Sequence, residues 1–364
     1  MSFLGPAPEP PTELGRYRIL SPSAGIRVSP LCLGAMSIGS AWNEVMGSMN
    51  KKQSFELLDA YFEKGGNFID TANDYQHGQS ERWLGEWMAA RKNRDRLVLA
   101  TKFTTEYKSH EYGKGKVVNF SGNHKKSLHL SLRDSLEKLQ TDYIDILYLH
   151  WWDWTTSIEE IMDALHIMCC QHLRPAHGKT PFVIYQGRWN AIIRDFERDI
   201  IPMARHFGMA LAPWDVLGQG KFKTPKEVEE RQKSGEPLRS NWRAEQTENE
   251  IKISDALAKV AAEHDVESIT AIALAYIFYK YPYVYPIIGG RKISHLEDNI
   301  QSLSIKLTEK QVEYLESVTT FDIGFPQTLI GPEIGEIGKP KVMPYLTGAG
   351  QLVVVRNAQS LHRA

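Results

Sequence analysis

The chain has 364 residues, 42% hydrophobic and 24% charged, which excludes a disordered chain and fits one large domain or two smaller ones. Lys plus Arg number 43 and Asp plus Glu 44, a formal charge of −1 that argues against nucleic acid or an anionic membrane as the main partner. Three cysteines (Cys32, Cys169, Cys170) cannot build a disulfide framework, and no run of about 18 apolar residues exists, so a reducing, cytoplasmic setting without a transmembrane helix is expected. The first residues lack the basic start and apolar core of a signal peptide.

Residues 1–15 read as a Pro-rich disordered arm, 16–330 as the folded body and 331–364 as an irregular tail rich in Gly and Pro. Two short runs, Arg16–Leu20 and Gly25–Val28, suggest a hairpin, and Leu31–Leu33 before Gly34 a buried strand. Phe55, Leu58 and Phe62 recur at helical spacing over Lys51–Lys64, with Asn50 as cap and Gly65-Gly66 as stop. Asn67–Asp70 is a strand, Ser80 is placed to cap a helix reaching Arg91, and Leu97–Thr101 is a strand. Residues 104–125 read as a long polar loop. Leu128, Leu132, Leu136 and Leu139 mark a helix, and Ile144–Leu149 a strand. Ser157 with Glu160 has the form of a capping box opening a helix to about Leu173. Phe182–Tyr185, Met209–Ala212 and Val284–Ile288 are further strands. Helices are expected over Arg194–Phe207, Glu250–Glu263, Ser268–Tyr279, His295–Leu303 and Thr308–Ser317. Strand and helix in alternation mean a parallel sheet with helical crossovers, and a (β/α)8 barrel is the best α/β reading. A doubly wound sheet is second, weakened because no G-x-G-x-x-G follows the first strand.

In such a barrel, chemistry sits at the C-terminal ends of the strands. Asp70, Lys102 and His150 stand at three successive strand ends, and Tyr75 lies in the loop after the first of them. Singly, each has a bland reading: a helix cap, a paired surface charge, a satisfied core histidine. Together they form a coherent acid–base set. A free tyrosine has a pKa of about 10, a lysine ammonium beside it favours the phenolate, and a buried ammonium needs a counter-charge such as Asp70. Lowering the tyrosine by about 2 units takes roughly 2.7 kcal/mol of differential stabilisation. His150 can donate to a substrate oxygen. The set suits proton donation beside a carbonyl that receives a hydride.

The runs Phe68-Ile69-Asp70-Thr71-Ala72-Asn73-Asp74-Tyr75, Ser80-Glu81, Leu84-Gly85 and Tyr143-Ile144-Asp145-Ile146-Leu147-Tyr148-Leu149-His150 resemble the aldo-keto reductase superfamily. His150-Trp151-Trp152-Asp153 and Tyr185-Gln186-Gly187-Arg188-Trp189-Asn190 point to its fungal aryl-alcohol dehydrogenase and norsolorinic-acid-reductase-like branch. The resemblance spans residues 16 to 330. It implies an NADP(H)-dependent (β/α)8 oxidoreductase in which Tyr75 is the general acid, Lys102 and Asp70 tune it, and His150 orients the carbonyl. It implies that Gln186 bonds the nicotinamide carboxamide, that Trp214 stacks on the nicotinamide, and that Leu217, Gly218, Gly220 and Lys221 cross the pyrophosphate. Gly289, Gly290, Arg291, Lys292, His295, Asp298 and Asn299 correspond to the 2′-phosphate and adenine site. That last assignment has a physical sense of its own: glycines let backbone approach a phosphate, a helix N-terminus follows, and Arg291 and Lys292 carry charge.

The substrate implied is a small aldehyde or ketone, or the corresponding alcohol, either aromatic or a secondary-metabolite intermediate. Trp42, Trp151 and Trp152 are candidate pocket walls. Cys169, Cys170, His172 and His177 end an apolar helical run without a second ligand pair, so no metal is expected.

Only 35 residues separate His150 from Gln186. A helix, a fifth strand, a second helix and the start of the sixth strand need roughly 50 or more. Seven core strands are expected instead of eight. Leu165–Thr180 is expected to hold the end of a helix and an irregular link, and the Ser-Asn or Ser-Asp pair that the resemblance puts on the fifth strand is not found. A mis-called splice boundary and a degenerate copy both explain this. The second functional reading is accordingly a catalytically weak, cofactor-sensing or interaction protein on the same scaffold.

Overall fold

In the computed structural model, residues 5–46, 49–170, 181–234, 245–331, 333, 335 and 355–364 are described. Among them are nine strands: β1 (Arg18–Ser21), β2 (Ala24–Val28), β3 (Cys32–Gly34), β4 (Phe68–Asp70), β5 (Val98–Phe103), β6 (Ile146–Leu149), β7 (Ile184–Arg188), β8 (Ala210–Trp214) and β9 (Ile287–Ile288). β1 and β2 form the two-stranded sheet that the two short runs suggest. The chain divides into two compact units, Met1–Arg18, Arg27–Phe182 and Ile288–Leu296 in the first and Ile19–Ile26, Val183–Ile287 and Glu297–Ala364 in the second.

The first unit is built on a five-stranded sheet in the order β6-β5-β4-β3-β9. β3, β4, β5 and β6 run parallel, and β4 and β5 are buried throughout, as expected of strands covered on both faces. The register pairs Asp70 with Ala100, and Lys102 with Tyr148. Paired residues of a parallel ladder point the same way, and side chains alternate along a strand. Asp70, Lys102 and His150 therefore share one face, each a two-residue step further along than the last; the His150 N–H continues the ladder to Phe103 O at 3.2 Å.

The crossover helices follow from their caps and buried faces. Lys51–Glu63 opens on a capping box between Asn50 and Gln53 and buries Leu57, Leu58 and Tyr61. Gln79–Arg91 and Lys125–Leu139 pack tightly because Gly85 has no Cβ; one there would stand 2.4 Å from Lys138 O. Ser80 does not cap its helix. Gly78 is the N-cap, and the Ser80 hydroxyl instead donates to Ala35 O at 2.8 Å and bonds the Thr71 hydroxyl, tying the helix start to the strand ends. Ser157 does cap Ile158–Cys170, accepting from Glu160 N at 3.1 Å. The return half of that box is missing, because the Glu160 carboxylate accepts from Lys125 N instead.

The second unit pairs β7 and β8 in parallel, Gln186 opposite Ala212 and Arg188 opposite Trp214. Residues 283–285 lie along the other side of β8, with Leu211 N donating to Tyr283 O and Tyr285 N to Leu211 O. The expected strand Val284–Ile288 is reduced to a bridge at Val284 and the two residues of β9. Pro286 lies between these pieces and has no N–H to give a ladder. Helix Arg194–Phe207 is shorter than expected: a 3-10 turn at Asp195–Glu197 precedes the helix Ile200–Phe207. Helices Glu248–Glu263 and Glu309–Ser317 both open on capping boxes, Thr247/Glu250 and Thr308/Gln311. Ile269–Lys280 is buried along nearly its whole length.

The pairings among the described residues make sheets of five, two and two strands and not a closed barrel. The helix after β6 is described to Cys170, and residues 171–180, on which most of the expectation for Leu165–Thr180 falls, lie outside the described residues. So do His172, His177 and most of the tail.

Candidate active site

Lys102 is the hub of the first unit's site. It is 1% exposed, and Asp70 is 3% exposed, so neither charge is eased by bulk water. Its Nζ donates to Asp70 Oδ2 at 2.5 Å, to Thr71 O at 2.7 Å and to the Tyr75 hydroxyl oxygen at 3.2 Å. An ammonium has three hydrogens, and all three are placed. Burial works against the Lys102 charge, but Asp70 and Tyr75 outweigh it and raise its pKa above the ordinary value.

The expected lowering of the Tyr75 pKa does not occur. Burial is the largest influence on it and raises it; Lys102 pulls it down, while Asp70 and Asp74 push it up again. The phenol is thus protonated near neutrality. Its oxygen already accepts from Lys102, so the one hydrogen it carries is directed elsewhere. Tyr75 is edge-on to His150, with ring centroids 6.2 Å apart, and to Trp42 at the same separation. Burial first, and then the Lys102 charge, lower the His150 pKa to about 3, so the imidazole is neutral.

The Tyr75 loop is held by an unusual backbone. Gln76, His77 and Gly78 all have positive φ, near +55° for the two that carry a Cβ, where L-residues are rare. The fully buried Gln76 side chain stabilises this turn, its amide donating to Met36 O at 3.0 Å and accepting from Trp42 N at 2.8 Å. Beneath it lies a carboxylate to which the sequence reading assigns no role. Glu81 is 0% exposed, accepts from Thr101 Oγ1 at 2.6 Å and pairs with Lys138 at 2.5 Å. Lys138 also donates to Asn73 O, so this pair braces the loop before Tyr75. Burial raises the Asp74 pKa to about 6, and its Oδ1 has no hydrogen-bond partner.

The candidate pocket tryptophans separate. Trp42 is half-buried against Tyr75 and His77. Trp151 is exposed, and its indole N–H donates to Thr105 Oγ1 at 3.0 Å. Trp152 packs on the apolar cluster of Phe103, Leu128, Ile161 and Ala164. Thr105, Asn123 and Glu81 also surround the site. Thr105 and Asn123 fall in what reads as a featureless polar loop; the only sequence signal for the clasp they belong to is Asp153, which closes the His-Trp-Trp-Asp run.

Gly289 and Gly290, after β9, precede the N-terminus of helix Ile293–Gln301, with Arg291 and Lys292 exposed. In the second unit, Gln186 is in β7 and Trp214 ends β8, 41% exposed. Leu217 leads into a turn in which Gly218, Gln219 and Gly220 have positive φ. Lys221, which closes that turn, is 4% exposed, and its ammonium has no carboxylate partner among the described residues. Asn299 is buried with its Oδ1 unpartnered, and burial raises the Asp298 pKa.

A parallel α/β framework with an Asp–Lys–Tyr hub beside a neutral histidine defines a class of acid–base oxidoreductase sites. Residues 30–320 match the model of the aldo/keto reductase family, and the chain belongs to that family. It is 54% identical to the aldo-keto reductase ausK of Aspergillus calidoustus, covering 99% of this chain and 96% of the relative. It is 49% identical to an aryl-alcohol dehydrogenase [NADP(+)] of Phanerodontia chrysosporium, over 91% and 93% of the two chains. To norsolorinic acid reductase A of Aspergillus parasiticus it is 47% identical, over 89% and 86%. The protein is an oxidoreductase of this family. The match to ausK runs over 381 positions yet takes in 99% of a chain of 364 residues, so about 20 positions of that relative have no counterpart here. Among the described residues, no helix is long and apolar enough to cross a membrane.

Proposed function

We propose that the protein reduces a small aldehyde or ketone with NADPH, or oxidises the corresponding alcohol with NADP, in the cytoplasm, on a substrate that is aromatic or a secondary-metabolite intermediate. The observation that carries this reading is the threefold use of Lys102. With its hydrogens on Asp70, Thr71 and Tyr75, it holds the phenol oxygen from one side and leaves the phenol hydrogen as the donor to a substrate oxygen. In reduction, Tyr75 gives that proton. Lys102 stabilises the phenolate left behind, Asp70 keeps Lys102 charged, and neutral His150 donates a second hydrogen bond to the same oxygen. Trp42 and Trp151 wall an aromatic substrate.

The residues present fit a dinucleotide phosphate. Among the described residues, Lys221 is a buried ammonium without a carboxylate and Asn299 Oδ1 a buried acceptor without a donor, each of which a bound nucleotide would satisfy. Gln186 and Trp214 would hold the nicotinamide, Leu217 to Lys221 the pyrophosphate, and Gly289 to Lys292 with His295, Asp298 and Asn299 the adenosine 2′-phosphate. NADPH, when bound, supplies the hydride.

The fold under this reading is the family's (β/α)8 barrel, with one stave lost or distorted between His150 and Gln186. The roughly 20 positions without counterpart support that placement only in size. The same shortfall favours a second reading, a catalytically weak protein that senses cofactor on this scaffold.

The test is Tyr75→Phe assayed with NADPH and a substituted benzaldehyde. The ring stays and only the proton is lost, so turnover should fall by about 10²-fold or more with cofactor affinity within a few fold. Near-wild-type turnover would remove Tyr75 from the role of acid. A wild-type protein that binds NADPH and turns nothing over would establish the second reading.

A further inference from the structure

A neutral histidine can donate from only one of its two ring nitrogens, so its tautomer decides whether it serves as donor or acceptor at a substrate oxygen. His150 Nδ1 lies 3.1 Å from Thr105 Oγ1. The same hydroxyl oxygen accepts from Trp151 Nε1 at 3.0 Å, and an indole N–H can only donate. The oxygen keeps a second lone pair, so Trp151 alone does not set the direction of the contact with His150; the Thr105 hydrogen, however, has no acceptor among the described residues other than His150 Nδ1, and donating it there satisfies both groups. Nδ1 then carries no proton, and the ring's hydrogen is on Nε2, which makes no hydrogen bond to any described residue.

The backbone that delivers Thr105 is strained. Thr104 is fully buried with φ at +110°, a β-branched residue in a region that such residues avoid. Its conformation is over-determined by neighbours: Asn123 Nδ2 donates to Thr104 Oγ1 at 2.9 Å, and Gly122 N to Thr104 O at 2.8 Å. The same Asn123 amide donates to Trp151 O at 3.0 Å. One side chain thus holds both the residue before Thr105 and the residue after His150. Asp153 clasps Asn123 in return, accepting from its N–H at 2.7 Å and donating its own N–H to Asn123 Oδ1 at 2.8 Å. A strained residue clamped from several sides, one step from a hydrogen bond to a site histidine, is where a positioning role is expected.

We propose that Thr105, backed by Trp151 and clamped through Asn123, is a positioning residue that holds His150 as the Nε2–H tautomer, so that the ring donates to the substrate oxygen. This rests on the reading of His150 as a donor to the carbonyl. Thr105 does not touch the reacting atoms; it acts through the imidazole.

The experiment reads the tautomer directly. Protein labelled with ¹⁵N-histidine is observed by long-range ¹H–¹⁵N correlation without substrate, and His150 is assigned by the signal lost in His150→Gln. The wild type should show protonated Nε2 and bare Nδ1. Thr105→Val keeps the shape and removes the hydroxyl; it should mix the tautomers and lower kcat on a substituted benzaldehyde about tenfold, with the KM for NADPH unchanged. Thr105→Ser should restore both. If Thr105→Val fails to fold, Thr105→Ala, which also removes the hydroxyl, should produce the same mixing. A protonated Nδ1 in the wild type, or an unchanged spectrum in the variant that folds, overturns the inference. The spectrum needs no turnover, so loss of the enzymatic reading through Tyr75→Phe is a separate outcome.

Discussion

The Lys102 ammonium donates to the Tyr75 hydroxyl oxygen at 3.2 Å, and this contact decides what the phenol can do. Because the oxygen accepts on that side, the Tyr75 hydrogen is available on another. Because burial outweighs the lysine's pull, that hydrogen stays on at neutral pH. Under the proposed function, this presets the site as a proton donor for the reductive direction.

Replacing both Arg291 and Lys292 by Ala should weaken NADPH binding by ~2–4 kcal/mol and NADH binding far less, because only the 2′-phosphate is matched by these charges. Fluorescence titration of the two cofactors checks this. Equal losses for both would remove the pair from the 2′-phosphate site.

Asp74 gives a pH-dependent stability. Burial lifts its pKa from the ordinary 3.8 to about 6, so the folded chain binds this proton more tightly than the unfolded chain does. The stability linked to that proton is fully present below the unfolded pKa and is lost as pH rises through about 6. Asp74→Asn should therefore stabilise by about 2–3 kcal/mol at pH 8 and by almost nothing below pH 4, as read by denaturant unfolding at the two pH values. A gain of the same size at both would show that charge burial is not its source.

A half-buried ionic cluster holds the second unit's helices. Lys280 pairs with Glu197 at 2.9 Å and Glu316 at 2.7 Å, and Arg194 pairs with the same two carboxylates. Burial opposes the Glu197 charge, but Lys280 and Arg194 outweigh it and hold its pKa down to about 2. Lys280→Met should cost about 3 kcal/mol at pH 7, because a buried carboxylate loses a partner. The depressed acid contributes its stability above the unfolded pKa and loses it as pH falls through about 2, so the cost should shrink toward that pH. Thermal unfolding at pH 7 and pH 3 compares the two.

Inserting a family-like helix–strand segment of about 20 residues after His166 should raise both Tm and NADPH affinity. It would add a paired stave and restore up to ~1–3 kcal/mol of polar contact to the nicotinamide carboxamide. A chain that as given already melts high and binds NADPH tightly, with no gain on insertion, would show that other residues supply those contacts.

Much of this protein is legible along the chain. Alternating apolar runs and helical periods mark the described strands and most of the longer helices, because each is set by which residues within about ten positions are apolar; the polar helix Pro225–Ser234 and three four-residue helical turns carry no such period. The placement of Asp70, Lys102 and His150 at successive strand ends, with Tyr75 in the loop after the first, is legible for the same reason: their positions relative to the local strands are sequence facts. Where local rules mislead, a distant partner has taken the group concerned. Ser80 gives its hydroxyl to Ala35 O instead of its own helix, and the Glu160 carboxylate goes to Lys125 instead of closing a box.

What only the tertiary structure decided are quantities that depend on burial and on contacts far apart in sequence. The direction of the Tyr75 pKa is one: a lysine nearby predicts a fall, yet the desolvation of a packed site is larger. The support around the site is another. Glu81, Lys138, Thr105, Asn123 and Asp153 are ordinary polar residues along the chain. They acquire their roles through hydrogen bonds spanning 19 to 65 residues, such as Asn123 to Thr104 and Lys138 to Asn73. A residue's type and spacing determine which hydrogen bonds it is able to make. Which of them it does make depends on where folding leaves its partners and how much water remains beside them.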